Sequence, residues 1–225
     1  MKLKKIASLA LAGIMAVSML AGCKDGTNQE EPSSSSQVPA TTNVVTYAND
    51  ALTGAQKGVF TFKSSSELDT ILQAAANDKS KFTSQEIINS YDDTAAKWDN
   101  TDLADAVKGK VQDNAIVVNV FKGTPVANGG KDQKIVRVFT ASGALDEKTA
   151  IKKVIETFNS GDTKIDKDNY PNVAWETTVS TSQHYDAEYV GEISAVKVTS
   201  NDNTAKTSWV VAIVITQSVT KAANV

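Results

Sequence analysis

Trp209 to Ile215 reads WVVAIVI, seven apolar residues in succession. Side chains of a strand point alternately to opposite faces. A strand with no polar side therefore needs cover on both faces, as in a sheet lying between two layers. The segment predicts a central strand. The last third of the chain completes a three-strand meander near 173–183, 188–199 and 207–219. Within it Val173, Trp175, Thr177 and Val179 alternate with polar residues, as in a strand with one wet face.

Helical periodicity fills the rest. A strand is expected over 57–63 (KGVFTFK). It is followed by a helix over about 66–77, with Leu68, Ile71, Leu72 and Ala75 on one stripe and Ser64 and Glu67 at capping-box spacing. Thr83 and Glu86 mark a second helix start, with Phe82 and Ile87 placed as a staple. Its stripe runs on through Ile88, Tyr91, Ala95 and Trp98, and a short third helix covers 102–109, stopped by Gly109. Segments 115–122 and 134–140 are rich in branched residues, and Asn128-Gly129-Gly130 between them predicts a hairpin. A fourth helix over 147–160, capped by Asp146 and ended by Gly161, would bury Ala150, Ile151, Val154, Ile155 and Phe158. The fold class is α+β, with N-terminal helices packed on a mostly antiparallel sheet and a C-terminal three-strand meander.

One internal similarity is visible. Gln56, Lys57, Val59, Phe62, Ser65, Leu68 and Asp69 recur 77 residues later, and so does Trp98, as Trp175. It suggests a weak duplication of 44–122 and 123–225, against which two ordinary strand-to-helix transitions are the plainer account.

Composition removes much common chemistry. The chain has 225 residues, one Cys, one His and a formal charge of -3. No internal disulfide or multi-Cys zinc site is possible on that basis, and the charge balance argues against a large basic nucleic-acid footprint. Arg137 is the only arginine.

The N-terminus is separate from the fold. Lys2, Lys4 and Lys5 precede an apolar stretch from Ile6 to Met19, too short for a membrane span, and then Leu20-Ala21-Gly22-Cys23. This segment resembles the lipobox signal peptide of bacterial lipoproteins. The resemblance implies a signal peptide over 1–22, cleavage before Cys23, and lipidation of that thiol with a diacylglyceryl group. Two or more acyl chains hold a protein stably on a bilayer. Residues 23–43, rich in Ser, Thr and Pro, read as a disordered tether, and 44–225 as the globular domain. Loss of the three lysines takes the formal charge from -3 to -6, so the lipid and not the headgroup field does the holding.

Motifs in the globular part are weak. Gly129-Gly130-Lys131 lacks the Ser/Thr of a phosphate loop. Two S-x-x-K strings, at Ser194 and Ser218, fall on expected strands and not at helix starts. Asp92, Asp93, Asp99, Asp102 and Asp105 invite a carboxylate pair for glycan hydrolysis but read as helix caps or a solvated face. Asp162, Asp166, Asp168 and Asn169 crowd the segment 161–172 and are the candidates for a hard cation such as Ca2+. Asp202, in the turn after the strand at 188–199, is expected at the same sheet end. His184 and Tyr185 are expected at a hairpin tip about 30 Å away by strand rise. Tyr170, Tyr185 and Tyr189 are candidates for exposed binding aromatics, together with His184, whereas Trp98 and Trp209 read as core.

The expectation is therefore a membrane-anchored extracytoplasmic lipoprotein, a non-enzymatic binding or assembly module. Its partner would be an envelope protein or a small-molecule or glycan ligand, with no nucleic acid and no required cofactor. The alternatives are a carboxylate-dependent cell-wall or carbohydrate hydrolase and a small solute-binding lipoprotein of a transporter. Oligomeric state is not legible.

Overall fold

The computed structural model describes residues 43–99, 102–177 and 182–222. The expected signal peptide, Cys23, the tether up to Thr42, and Val179 lie outside the described residues. The element order is α1 (Val44–Asp50), α2 (Gly54–Lys57), β1 (Phe62–Lys63), α3 (Ser66–Asn77), α4 (Ser84–Tyr91), β2 (Lys97–Asp99), α5 (Asp102–Gln112), β3 (Ile116–Val117), β4 (Gln133–Ser142), α6 (Glu147–Phe158), a 3-10 turn (Gly161–Thr163), β5 (Val173–Thr177), β6 (Ser182–Thr199) and β7 (Thr207–Lys221). The fold is α+β: one mixed sheet of seven strands, with helices on both faces.

β7 is the central strand, antiparallel to β6 on one side and to β4 on the other. Trp209 to Ile215 are all buried, because β7 feeds two cores. Trp209, Val211, Ile213 and Ile215 pack with residues of α1 and α6. Val210, Ala212 and Val214 pack with residues of α3, α4 and α5. No helix among the described residues is long and apolar enough to cross a membrane.

The three long strands carry short strands on their outer edges. β5 and β1 pair with β6, while β3 and β2 pair with β4. Neither pair is continuous. β5 covers β6 as far as Asp186 and β1 resumes at Gly191. β3 covers β4 to Lys134 and β2 resumes at Val138. Each outer edge thus has a gap.

Several expectations hold closely. α3 and α6 span 66–77 and 147–158, Asp146 caps α6, and all five expected residues of α6 are buried. Thr83 and Glu86 form the capping box of α4. Others are corrected. The cap of α3 is Ser65 rather than Ser64. Residues 57–61 do not start a strand, because Thr53 and Gln56 form a capping box that takes Gln56 and Lys57 into α2. α4 stops at Tyr91, where the Asp93 carboxylate accepts from the Ala95 N–H and turns the chain. Trp98 then lies on β2 and is 59% exposed, not core. α5 runs through Gly109 to Gln112, since Leu103, Val107 and Val111 extend its buried stripe past the glycine. The expected hairpin is also absent: β3 and β4 are parallel. The turn at 127–131 is real, but Phe121 leaves the strand line to bury itself among aromatics. β5 alternates as expected with the opposite parity: Ala174 and Glu176 face inward, and Val173 is 48% exposed. Apart from these corrections, the two strand-to-helix transitions of the internal similarity are both present, with α3 in one core and α6 in the other.

Candidate functional site

Antiparallel strands direct their N–H and C=O groups to alternate sides, residue by residue. On β6 the Ala187 N–H donates outward to the Asn172 carbonyl and the Gly191 N–H to Thr61. Tyr189 lies midway and faces the same way, in the gap between β5 and β1. Among the described residues no flanking segment forms a main-chain hydrogen bond with it on that side. A cavity of about 310 Å³ opens there, lined by Gly58, Val59, Lys167, Tyr170, Asn172, Ala187, Glu188 and Tyr189.

The walls of this cavity are rigid. Tyr170 and Tyr189 meet edge to face at 5.3 Å, and Phe60 and Phe121 pack on them at 5.2 Å. Each phenol is held at its tip. The Tyr170 hydroxyl donates to the Thr163 carbonyl at 3.2 Å; the Tyr189 hydroxyl donates to Pro171 at 2.6 Å and accepts from Gln217 at 2.9 Å. Burial raises the pKa of both phenols above the ordinary 10.0, so both stay protonated at neutral pH. They wall and anchor the cavity, with their hydroxyl protons given to the Thr163 and Pro171 carbonyls. Tyr170, Tyr185 and Tyr189 are each less than 10% exposed, which corrects the expectation that they stand free on the surface. Their burial follows from inward parity on β6 and from Tyr170 closing the loop over it. Lys167 and Glu188 are exposed at the rim, and neither has an ion-pair partner among the described residues.

The acidic segment 161–172 folds on itself. The Asp166 carboxylate accepts from the N–H groups of Asp168 and Asn169 and pairs with Lys164 at 3.1 Å. Asn169 donates to the carbonyls of Gly161 and Lys164. Asp202 bonds within its own turn, to Ser200 and Thr204. The β5–β6 register overturns the expected layout. Val173 pairs with Asp186, so the end of the 161–172 segment lies beside 186–189. Asp202 is in the turn past the far end of β6, about 40 Å away by strand rise. Conversely, His184 is not at a hairpin tip. It is inside β6, exposed and opposite Trp175, and close in register to the segment it was expected to be far from. Among the described residues no group of three His, Cys, Asp or Glu is placed to hold a metal ion.

The other acidic candidates have local partners. Asp92 pairs with Lys206 at 2.5 Å, Asp93 pairs with Lys97, and Asp102 and Asp105 sit in the first turn of α5. In each S-x-x-K string the Ser and Lys, three apart on a strand, face opposite sides of the sheet.

The gap on the β4 edge is filled differently. The Val118 N–H donates to the Lys134 carbonyl, so by alternation the Val136 carbonyl also faces outward, beyond the end of β3. The Arg137 guanidinium folds back to it, donating to Val136 at 2.9 Å and to the Asn119 carbonyl at 2.6 Å. Trp98 covers the guanidinium at 4.7 Å. A cleft of about 110 Å³ adjoins, lined by Trp98, Ala104, Asp105, Lys108, Asn119, Val136, Arg137 and Val138. Sequence reasoning passed over both gaps. The available signal on β4 was a lone charge in an otherwise apolar strand, Lys134 to Thr140 (KIVRVFT). The gap on β6 leaves no residue signal, because it depends on where two distant short strands stop.

No family model matches the chain, and no curated protein and no solved structure matches it either.

Proposed function

We propose that this is a membrane-anchored extracytoplasmic lipoprotein whose globular domain is a binding module, with the gap at Tyr189 as its ligand site. The observation that carries the reading is the pairing of a cavity with an unpaired stretch of strand edge. A cavity near 300 Å³ is at the lower end of small-ligand sites. The Tyr189 main chain offers it one donor and one acceptor, the phenol walls offer apolar area, and Lys167 and Glu188 offer opposite charges at the rim. The ligand that matches this set is a small molecule carrying both an acid and an amine. The Leu20-Ala21-Gly22-Cys23 sequence supports the anchor.

Two experiments test it. Intact mass of the protein from membranes of a cell that processes lipoproteins should show a chain starting at an acylated Cys23, and Cys23→Ala should release the protein from the membrane. A thermal-shift panel of zwitterionic, anionic, cationic and neutral small molecules should raise the melting temperature with zwitterions. Glu188→Lys should abolish that response while leaving the unliganded melt unchanged. Recovery of an unacylated chain starting at Met1, or a panel with no zwitterion response, overturns the corresponding half.

A further inference from the structure

A buried guanidinium without a carboxylate needs an explanation. Arg137 is 6% exposed, and its Nε has no hydrogen-bond partner. No described carboxylate pairs with it. Burial lowers its pKa, opposed by the charges of Tyr170 and Asp162, of which Tyr170 is neutral near pH 7. An unpaired buried charge is expensive, and such charges are normally paired. Two carbonyls take one proton each from Nη1 and Nη2. The Nε–H has no partner and is shut off from solvent, so a carboxylate reaches it only when Trp98 moves aside; the Nε edge of a guanidinium matches the two oxygens of a carboxylate.

The surroundings select an anion. The cleft beside Arg137 also contains Lys108 and Asn119, a second cation and an amide. Asp105 is the one acidic lining residue and is exposed. Trp98 closes the guanidinium face yet is itself mostly in solvent, so it can shift without disturbing the core. A space of about 110 Å³ admits one carboxylate group with a short stem.

We propose that the cleft on the β4 edge is a carboxylate-binding site, in which Arg137 takes the two oxygens, Lys108 adds charge and Trp98 forms the movable cover. It lies on the opposite edge of the sheet from the Tyr189 cavity, though Tyr170 of that cavity's wall is close enough to Arg137 to bear on its charge.

The test uses a property of the sequence. With one arginine in the chain, an amide-correlation NMR spectrum of the full-length protein in detergent contains a single arginine Nε–H resonance. Sodium acetate is titrated against sodium chloride at equal ionic strength, with sodium phosphate as a third arm. The resonance should shift saturably with acetate, in the millimolar range, and not with chloride. Lys108→Ala should weaken acetate binding roughly threefold to tenfold and Asp105→Asn should strengthen it, as expected for loss of one nearby charge. Asp105 is exposed and Lys108 half-buried on α5, and a wild-type-like amide spectrum of each variant is required as the check that it folds. A resonance indifferent to acetate, one that moves equally with chloride, or one whose response is unchanged in both variants overturns the proposal. A stronger response to phosphate than to acetate overturns the assignment of a planar carboxylate.

Discussion

The Tyr185 hydroxyl donates a 2.6 Å hydrogen bond to the Glu176 carboxylate, joining β6 to β5 on the buried side of the sheet. The other Glu176 oxygen accepts from the Gly129 N–H at 3.1 Å, so a buried acid is satisfied by one phenol and one tight turn. Tyr185→Phe removes the stronger partner and should lower the melting temperature at neutral pH. The bond to Glu176, first, and burial, second, raise the Tyr185 pKa above 10.0. A raised folded-state pKa gives stability that is complete below the ordinary value and is lost as pH climbs through the folded one. The gap between the wild-type and Tyr185→Phe melting temperatures should therefore be widest below pH 10 and shrink above it. A gap that stays constant through that range rejects the linkage.

The turn beneath this pair makes a second prediction. Gly129 and Gly130 have φ of +80° and +66°, and so favour glycine alike. Their surroundings differ. A Cβ on Gly129 meets nothing within 4 Å, whereas one on Gly130 would lie 2.6 Å from Cε1 of Tyr185. Gly129→Ala should cost only the backbone term, about 1–2 kcal/mol. Gly130→Ala should cost more, by displacing the Tyr185 ring. Urea unfolding of the two variants separates them; equal losses would show that the ring yields freely.

The fold was more legible than the site. Helices α3, α4 and α6 were readable because each joins an apolar stripe to a side-chain cap within a few residues, as Thr83 and Glu86 do. β7 was readable because seven apolar residues demand two covers. Parity on β5 was not readable, since Glu176 looks like a solvent residue until Tyr185 and Gly129 are brought to it. The burial of Tyr170 and Tyr189 was missed for a related reason: a tyrosine reads as exposed unless the carbonyls that satisfy it, Thr163 and Pro171, are known. The candidate sites depend on where β1, β2, β3 and β5 end, and strands of two to five residues carry almost no periodic signal.

The central strand gives a packing test. Ile213 is fully buried and faces α6, while its neighbour Ala212 faces the other core. Ile213→Ala should destabilise by about 2–5 kcal/mol, the range for a large buried aliphatic side chain. Ala212→Val should also destabilise, by roughly 1–3 kcal/mol, because added volume in a packed core forces strain. Chemical denaturation measures both. A neutral Ala212→Val would mean that the layer containing α3 and α5 is loosely packed against β7.

Asp166 ties the acidic segment to itself, and its failure should be pH-dependent. The Asn169 N–H and then Lys164 lead the causes that hold its pKa below 3.8. A depressed folded-state pKa supplies stability that is present above the unfolded value and lost as pH falls through the folded one. Asp166→Ala should therefore melt below wild type at pH 6, with the difference fading as pH drops under about 4. The segment also carries Tyr170 and Pro171, which wall and brace the Tyr189 cavity. Hydrogen exchange at the amides of Asp168, Asn169 and Tyr170 should accelerate in Asp166→Ala at pH 6, while exchange in the centre of β7 stays slow. Acceleration spread evenly over β7 as well would show that the segment is part of the global core and not a local brace.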